Sequence, residues 1–285
     1  MQIADLLPIS AISGLQAERA WNVAGENTGT ILVGGSMLNI VLSCFLLLLV
    51  PVVGVGQNSP GPGIFALRTM LQDKDSEIRT KAAEGLGRVG GRESVLILRQ
   101  GLTDPSLEVR ISVIKALGFI GGRLAITVIS EAMKDNSVEV RIRAVEALVD
   151  AGTVSSIPVI QKAFGDKEES VRLHAALMLK VIGHRRGVPV LAKVVVDDKS
   201  PAVRAAAAAH MGKVGVKDRR AVGALAKVLE DDKEPTVRIR AVEALGFLQL
   251  PQAVPVLKMA LEDKNTGVRI RATEVLGRVL AKDFE

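Results

Sequence analysis

A dipeptide of Ile or Val followed by Arg recurs at a nearly constant interval in this 285-residue chain, at Arg79, Arg110, Arg141, Arg172, Arg204, Arg238 and Arg269, with spacings of 31, 31, 31, 32, 34 and 31 residues. Six residues before each arginine stands an aspartate: Asp73, Asp104, Asp135, Asp166, Asp198, Asp232 and Asp263. A period of this length, kept through seven units, restricts the fold to an array of one repeated supersecondary element. Three residues after each arginine lies Ala82, Val113, Ala144, Ala175, Ala207, Ala241 or Ala272, and seven after it Leu86, Leu117, Leu148, Leu179, Met211, Leu245 or Leu276. With the Ile or Val before the arginine, this spacing marks one apolar helix face. A shorter apolar pattern precedes each aspartate, as in Val188-Pro189-Val190-Leu191 and Val254-Pro255-Val256-Leu257, where the prolines suit a first helical turn. Each unit therefore reads as helix, Asp-containing turn, helix and a glycine exit such as Gly90-Gly91 or Gly121-Gly122. The fold class is all-α, an α-solenoid of seven helical hairpins.

The runs Leu102-Thr103-Asp104-Pro105-Ser106-Leu107-Glu108-Val109-Arg110 and Val237-Arg238-Ile239-Arg240-Ala241-Val242-Glu243-Ala244-Leu245-Gly246, with their counterparts, resemble the HEAT-repeat family, in particular its short-repeat, phycobilisome-lyase HEAT-like subgroup. The resemblance covers Ile64 to Lys282 and implies an armadillo-type stack whose second helices line a concave surface. One hairpin cannot bury its apolar face alone, so stacked repeats share a continuous core with nearest-neighbour stability. The aspartates are expected to cap free amides at the start of each second helix. The arginines are expected to reach a neighbouring repeat's turn, making both columns a structural ladder.

Charge is distributed unevenly: all but Arg19 of the 37 Lys and Arg, and all but Asp5, Glu18 and Glu26 of the 31 Asp and Glu, lie beyond residue 67. Residues 37–56, MLNIVLSCFLLLLVPVVGVG, come close to the roughly 20 apolar residues that span a bilayer. Two readings stand: a single-pass transmembrane anchor, or a signal peptide with an apolar core from Ile40 to Val50 and small residues Gly54 and Gly56 at a cleavage site. The protein is expected to be membrane-anchored or exported. Residues 1–36 are read as a disordered segment or a start-site artefact with Met37 as the true start, residues 57–63 (QNSPGPG) as a linker, and residues 64–282 as the repeat domain. Cys44, the single cysteine, lies inside the apolar run, so an intrachain disulfide is excluded.

Numbered from each arginine, the +2, +5 and +9 positions escape the apolar pattern and form the displayed face. Toward the ends of the array this face is charged, with Lys81, Glu84 and Arg88, then Arg240 and Glu243, then Arg271, Glu274 and Arg278. In the fourth and fifth repeats it carries His174, Leu177, Val181, Ala206, Ala209 and Lys213, with Phe119 and Phe247 in the +9 column on either side. An apolar patch with a charged rim is expected to bind a protein partner. The exits between repeats place Arg92, Arg123, Arg185, Arg186, Lys217, Arg219 and Arg220 on one basic edge, which suits solubility or contact with anionic lipid or another polyanion.

With no Tyr, one Trp and six Phe, the chain has few groups on which bases could stack, so a nucleic-acid partner is not expected. The histidines, His174, His184 and His210, are followed by Ala175, Arg185 and Met211, so the His-Glu pairs of a di-iron helical-repeat hydroxylase are missing. There is no phosphate loop and no nucleophile elbow. No cofactor, metal or catalytic residue is expected. The expected function is a non-catalytic protein-interaction scaffold; the alternatives are a lyase-like or chaperone-like helper of a chromophore protein and an anionic-lipid or polyanion-binding module.

Overall fold

A computed structural model describes residues 62–281. The expected N-terminal segment, the transmembrane or signal stretch of residues 37–56 and Gln57 to Gly61 of the expected linker lie outside the described residues. Fourteen α-helices and no strand are found among the described residues, arranged as seven antiparallel hairpins. The first helices are α1 (Pro62–Met70), α3 (Gly91–Gln100), α5 (Gly122–Ala132), α7 (Thr153–Ala163), α9 (Val188–Asp197), α11 (Arg219–Asp231) and α13 (Ala253–Met259). The second helices are α2 (Ser76–Val89), α4 (Leu107–Ile120), α6 (Val138–Ala151), α8 (Glu169–Ile182), α10 (Pro201–Val214), α12 (Pro235–Phe247) and α14 (Thr266–Ala281). The linker read through Gly63 gives way sooner than expected, because α1 starts at Pro62, a residue whose fixed φ and missing N–H suit a first helical position.

Each helix packs on its hairpin partner, and each second helix also on the second helices of the adjacent repeats, giving two layers with the core between them. All seven residues of the +3 column are fully buried, as are those of the +7 column from Leu86 to Leu245. Leu276, in the last repeat, is partly exposed because no further hairpin covers it among the described residues. Each fully buried leucine contributes on the order of 1.5–3 kcal/mol. Gly90 and Gly121 end α2 and α4 with φ of 71° and 70°, and their amides close onto the carbonyls of Leu86 and Leu117. These left-handed positions, which favour glycine, turn the chain directly into the next hairpin.

The arginine column links the hairpins. Arg79, Arg110, Arg141, Arg172, Arg204 and Arg238 each pair with the aspartate of the following repeat (Asp104, Asp135, Asp166, Asp198, Asp232 and Asp263) at 2.6–2.9 Å. In five of the six pairs, all but Arg110–Asp135, Nε and Nη2 both donate to the carboxylate. Each Nη1 also donates to the backbone carbonyl of the aspartate in its own turn, at 2.7–2.9 Å. One guanidinium thus fixes its own turn and the next. Arg269, in the last repeat, keeps the bond to the Asp263 carbonyl and has no carboxylate partner among the described residues.

The aspartates do not cap the helices themselves, contrary to the sequence expectation. Each accepts, at 2.7–2.9 Å, the amide two residues on, which belongs to Asp75, Ser106, Ser137, Glu168, Ser200, Glu234 or Asn265. The first six of those residues are the N-caps of the second helices. The carboxylate thus shapes the turn that presents the cap.

Burial opposes ionisation of Asp166, Asp232 and Asp263, but the guanidinium hydrogen bonds and the turn amide outweigh it and hold these carboxyls below the ordinary carboxylate range. Because the folded values are depressed, this stabilisation is complete above the unfolded carboxylate value of about 3.9 and is lost as pH falls through the folded values. Urea midpoints followed by circular dichroism should therefore drop below about pH 4. At pH 7, Arg238→Ala, which strips the counter-charge from Asp263 in a pair exposed by only 2% and 7%, should cost about 3–5 kcal/mol. Arg269→Ala should cost less than about 1 kcal/mol in the same titration.

Candidate functional site

The second helices approach each other closely because small residues interlock between repeats. Gly87, Gly118 and Gly212, at +8, lie against Ala116, Ala147 and Ala244, at +6 of the next repeat. A Cβ on Gly212 would come within 2.7 Å of the Ala244 Cα. First helices mostly pack less tightly on one another, which makes the second-helix layer the inner side of the stack. In the third and fourth repeats the glycine is replaced by Val149 and Lys180, and the next repeats carry Met178 and His210 at the facing +6 position. The small-residue interlock is thus interrupted in the middle of the array.

The free face of the second helices is where the sequence placed the partner site. Phe119 is 76% exposed, Val181 58% and Phe247 52%, while Leu177 sits at the margin with 37%. Lys213 is exposed, but His174, Ala206 and Ala209 are half-buried, because the neighbouring helix covers their flanks. The +9 column alternates: exposed Asp150 lies between Phe119 and Val181, and Lys213 between Val181 and Phe247. Two interhelical steps of roughly 8–10 Å separate Val181 from each phenylalanine. The structure therefore brings together Leu177, Val181, Ala206 and Ala209, one turn apart on two adjacent helices, and leaves Phe119 and Phe247 as separate anchors.

Charge on this face is paired where the sequence places opposite signs three residues apart. Lys81–Glu84, Arg143–Glu146, Arg240–Glu243 and Arg271–Glu274 pair at 2.8–3.2 Å. His174 Nδ1 lies 2.8 Å from the Ser170 carbonyl, and its Nε2 lies 3.7 Å from Glu146. His210 behaves differently. Burial, then Lys180 and Lys213, lower its pKa to about 4, so it is neutral at pH 7. Lys180 was not among the residues singled out from the sequence, and His210 was noted there only as a histidine without a following glutamate; the signal was in the +8 and +6 columns, where they stand at positions that mostly hold Gly and Ala.

Of the basic edge, Arg92, Arg123, Arg185, Arg186, Lys217, Arg219 and Arg220 are all exposed. Arg220 is already neutralised by Asp218, at 2.6 Å. That hydrogen bond, and the nearby charge of Arg185, hold the Asp218 carboxyl below its ordinary range. Lys217 occupies a left-handed turn, φ 60°, and donates its amide to the Leu248 carbonyl, so it shapes the exit loop.

Shallow grooves recur between successive Asp turns, one of them lined by Lys134, Asp135, Arg141, Lys162 and Asp166. The carboxylates and guanidinium there are already engaged in the ladder. Among the described residues, no group of three or more His, Cys, Asp or Glu side chains could hold a metal ion. No helix among them is long and apolar enough to cross a membrane.

The family model for HEAT repeats matches residues 64–148, 126–212 and 188–277. No curated protein matches the chain. Among solved structures, human deoxyhypusine hydroxylase in complex with glycerol is 20% identical with a TM-score of 0.41, over 78% of this chain and 86% of that one. The complex of CpcE and CpcF of phycocyanin lyase from Nostoc sp. PCC7120 is 20% identical with a TM-score of 0.41, over 79% and 97%. A designed armadillo repeat protein is 20% identical with a TM-score of 0.36, over 75% and 98%.

If the glycine-alanine interlock sets the helix spacing, Gly212→Ala should destabilise the protein by about 1–3 kcal/mol through overpacking against Ala244. Gly223→Ala, mid-helix with nothing within 4 Å of the added Cβ, should instead stabilise it by about 0.5–1 kcal/mol. Thermal unfolding of both variants separates the two effects.

Proposed function

This chain belongs to the HEAT-repeat family, and from that premise we propose that it is a non-catalytic scaffold that captures a protein partner on the inner face of the array, centred on the fourth and fifth repeats. The observation that carries this reading is the exposed Val181, beside Leu177, at the centre of a helix layer that also exposes Phe119 and Phe247 to either side. An exposed apolar side chain costs solvation free energy that a bound partner recovers, and the half-buried Ala206 and Ala209 leave space for a partner's side chain next to it. Phe119 and Phe247 extend the contact toward both ends of the array. A solenoid face suits this role because it is built from rigid helices and presents a long surface without loop rearrangement.

Leu177→Asp and Ala209→Arg place charge in the centre of the contact without touching the ladder. Each should reduce capture of the physiological partner at least tenfold, with the circular dichroism spectrum unchanged. Capture that survives both substitutions would refute the site.

Residues 37–56 supply the second part of the proposal: they deliver the array to a membrane, either as an anchor or as a cleaved signal. Intact mass spectrometry of the protein from fractionated native cells is expected to find the full chain in the membrane fraction or an exported species beginning near Gln57. Full-length chain wholly in the cytosolic fraction would remove membrane delivery from the proposal.

A further inference from the structure

The inner face neutralises its own positive charge at +2 wherever that column holds a cation: Lys81, Arg143, Arg240 and Arg271 each have a glutamate three residues on. The fourth and fifth repeats lack this arrangement, because their +2 and +5 positions are His174 and Leu177, then Ala206 and Ala209. They nevertheless carry Lys180 and Lys213, and neither lysine makes an ion pair or a side-chain hydrogen bond among the described residues. Lys180, on α8, and Lys213, on α10, both act on the half-buried ring of His210. Leu177 and Val181 are exposed within one turn of Lys180 on the same helix. Two uncompensated cations and an apolar pair therefore share one small area at the centre of the array.

We propose that the segment captured there is an acidic, amphipathic stretch of a partner protein, with a carboxylate seated between Lys180 and Lys213 and an apolar side chain against Leu177 and Val181. The proposal rests on the docking reading above and specifies the chemistry of the partner. The surrounding charge selects a discrete carboxylate over a continuous polyanion. Asp150 is exposed one repeat before Val181 and makes no ion pair among the described residues, whereas Glu146 and Glu243 on the flanking helices are already paired with Arg143 and Arg240. A nucleic-acid backbone or an anionic bilayer spanning this face would meet the unpaired Asp150, whereas one or two acidic side chains flanked by leucine-like groups would not. Like-charge contact of that kind discriminates between partners. The positive centre also accelerates encounter with an acidic segment, and added salt screens it.

His210 reports occupancy. Burial and the two lysines now disfavour its protonation, and a bound carboxylate supplies the opposite charge, so its pKa rises from about 4 on binding.

The test uses the full-length protein and a fluorescein-labelled synthetic peptide of repeated Glu-Glu-Leu-Leu units, followed by anisotropy. Saturable binding is expected, weakened at least tenfold by Lys180→Ala with Lys213→Ala and at least fivefold between 50 and 300 mM salt, and retained within threefold when both lysines become arginine. The His210 ring resonances should titrate at least one pH unit higher with peptide bound. A Gln-Gln-Leu-Leu peptide, a leucine-free polyglutamate and phosphatidylserine vesicles should each bind at least tenfold more weakly. Failure of the acidic peptide to bind, or affinity unchanged in the double-alanine variant, overturns the proposal. Vesicles or polyglutamate binding as tightly through the same lysines also overturns it, in favour of a general polyanion site. If the acidic peptide fails while Leu177→Asp still abolishes partner capture, only the charge assignment falls. Unchanged capture by the Leu177→Asp and Ala209→Arg variants removes the docking reading itself.

Discussion

The contact from each arginine but the last to the aspartate of the next repeat, bidentate in five of the six pairs, is the interaction on which the array depends. The apolar core between the two layers supplies most of the stabilisation, but burial is non-directional, and hairpins that share only an apolar face can slide along one another. The guanidinium removes that freedom, because its two parallel hydrogen bonds require one orientation of the carboxylate. Its remaining nitrogen holds the carbonyl of its own turn, so position is handed from turn to turn along the stack. Buried ion pairs often add little net stability, and their value here is the register they impose.

That register explains where the repeat tolerates extra length. Between Arg204 and Arg238 the period stretches to 34 residues, yet the aspartate still precedes the arginine by six. The added residues are accommodated on the exit side, where α10 leaves through Gly215 and Lys217 before α11 begins at Arg219. The turn side is locked by the ladder, while the exit side is held mainly by backbone hydrogen bonds such as that from Lys217 to Leu248. Variation accumulates where the geometric constraint is weakest.

The inner face follows from a second, steric constraint. Glycine opposite alanine lets backbones approach closely, and larger side chains at those positions interrupt the interlock. The third and fourth repeats carry such side chains, and in the fourth and fifth the +2 and +5 columns lose their charge pairs. The interlock therefore gives way at a centre that combines uncompensated lysines with exposed aliphatic groups. The proposed binding chemistry and the change in packing occupy the same place because both arise from the same departures from the repeat pattern.

The hairpins, their number and the reach of each arginine to a neighbouring turn were legible in the sequence, but that the partner is the aspartate of the following repeat was not. A period of 31 residues with fixed Asp, Arg and apolar offsets leaves no other way to bury the apolar face. Residues beyond the period were harder to read. Ala206 and Ala209 belong to the displayed columns, yet neighbouring helices half-cover them, and Phe119 and Phe247 lie too far from Val181 to form one patch. The capping role expected of the aspartates passed to residues two positions on, because each carboxylate is aimed at its turn and at the preceding repeat's arginine. The meeting of Lys180 with His210 was decided by tertiary structure, since one lies at +8 and the other at +6 of the next repeat. Periodicity determines which face a residue takes on its own helix; how closely the next helix approaches, and so which faces stay open and which charges stay uncompensated, is set by side-chain volume between helices.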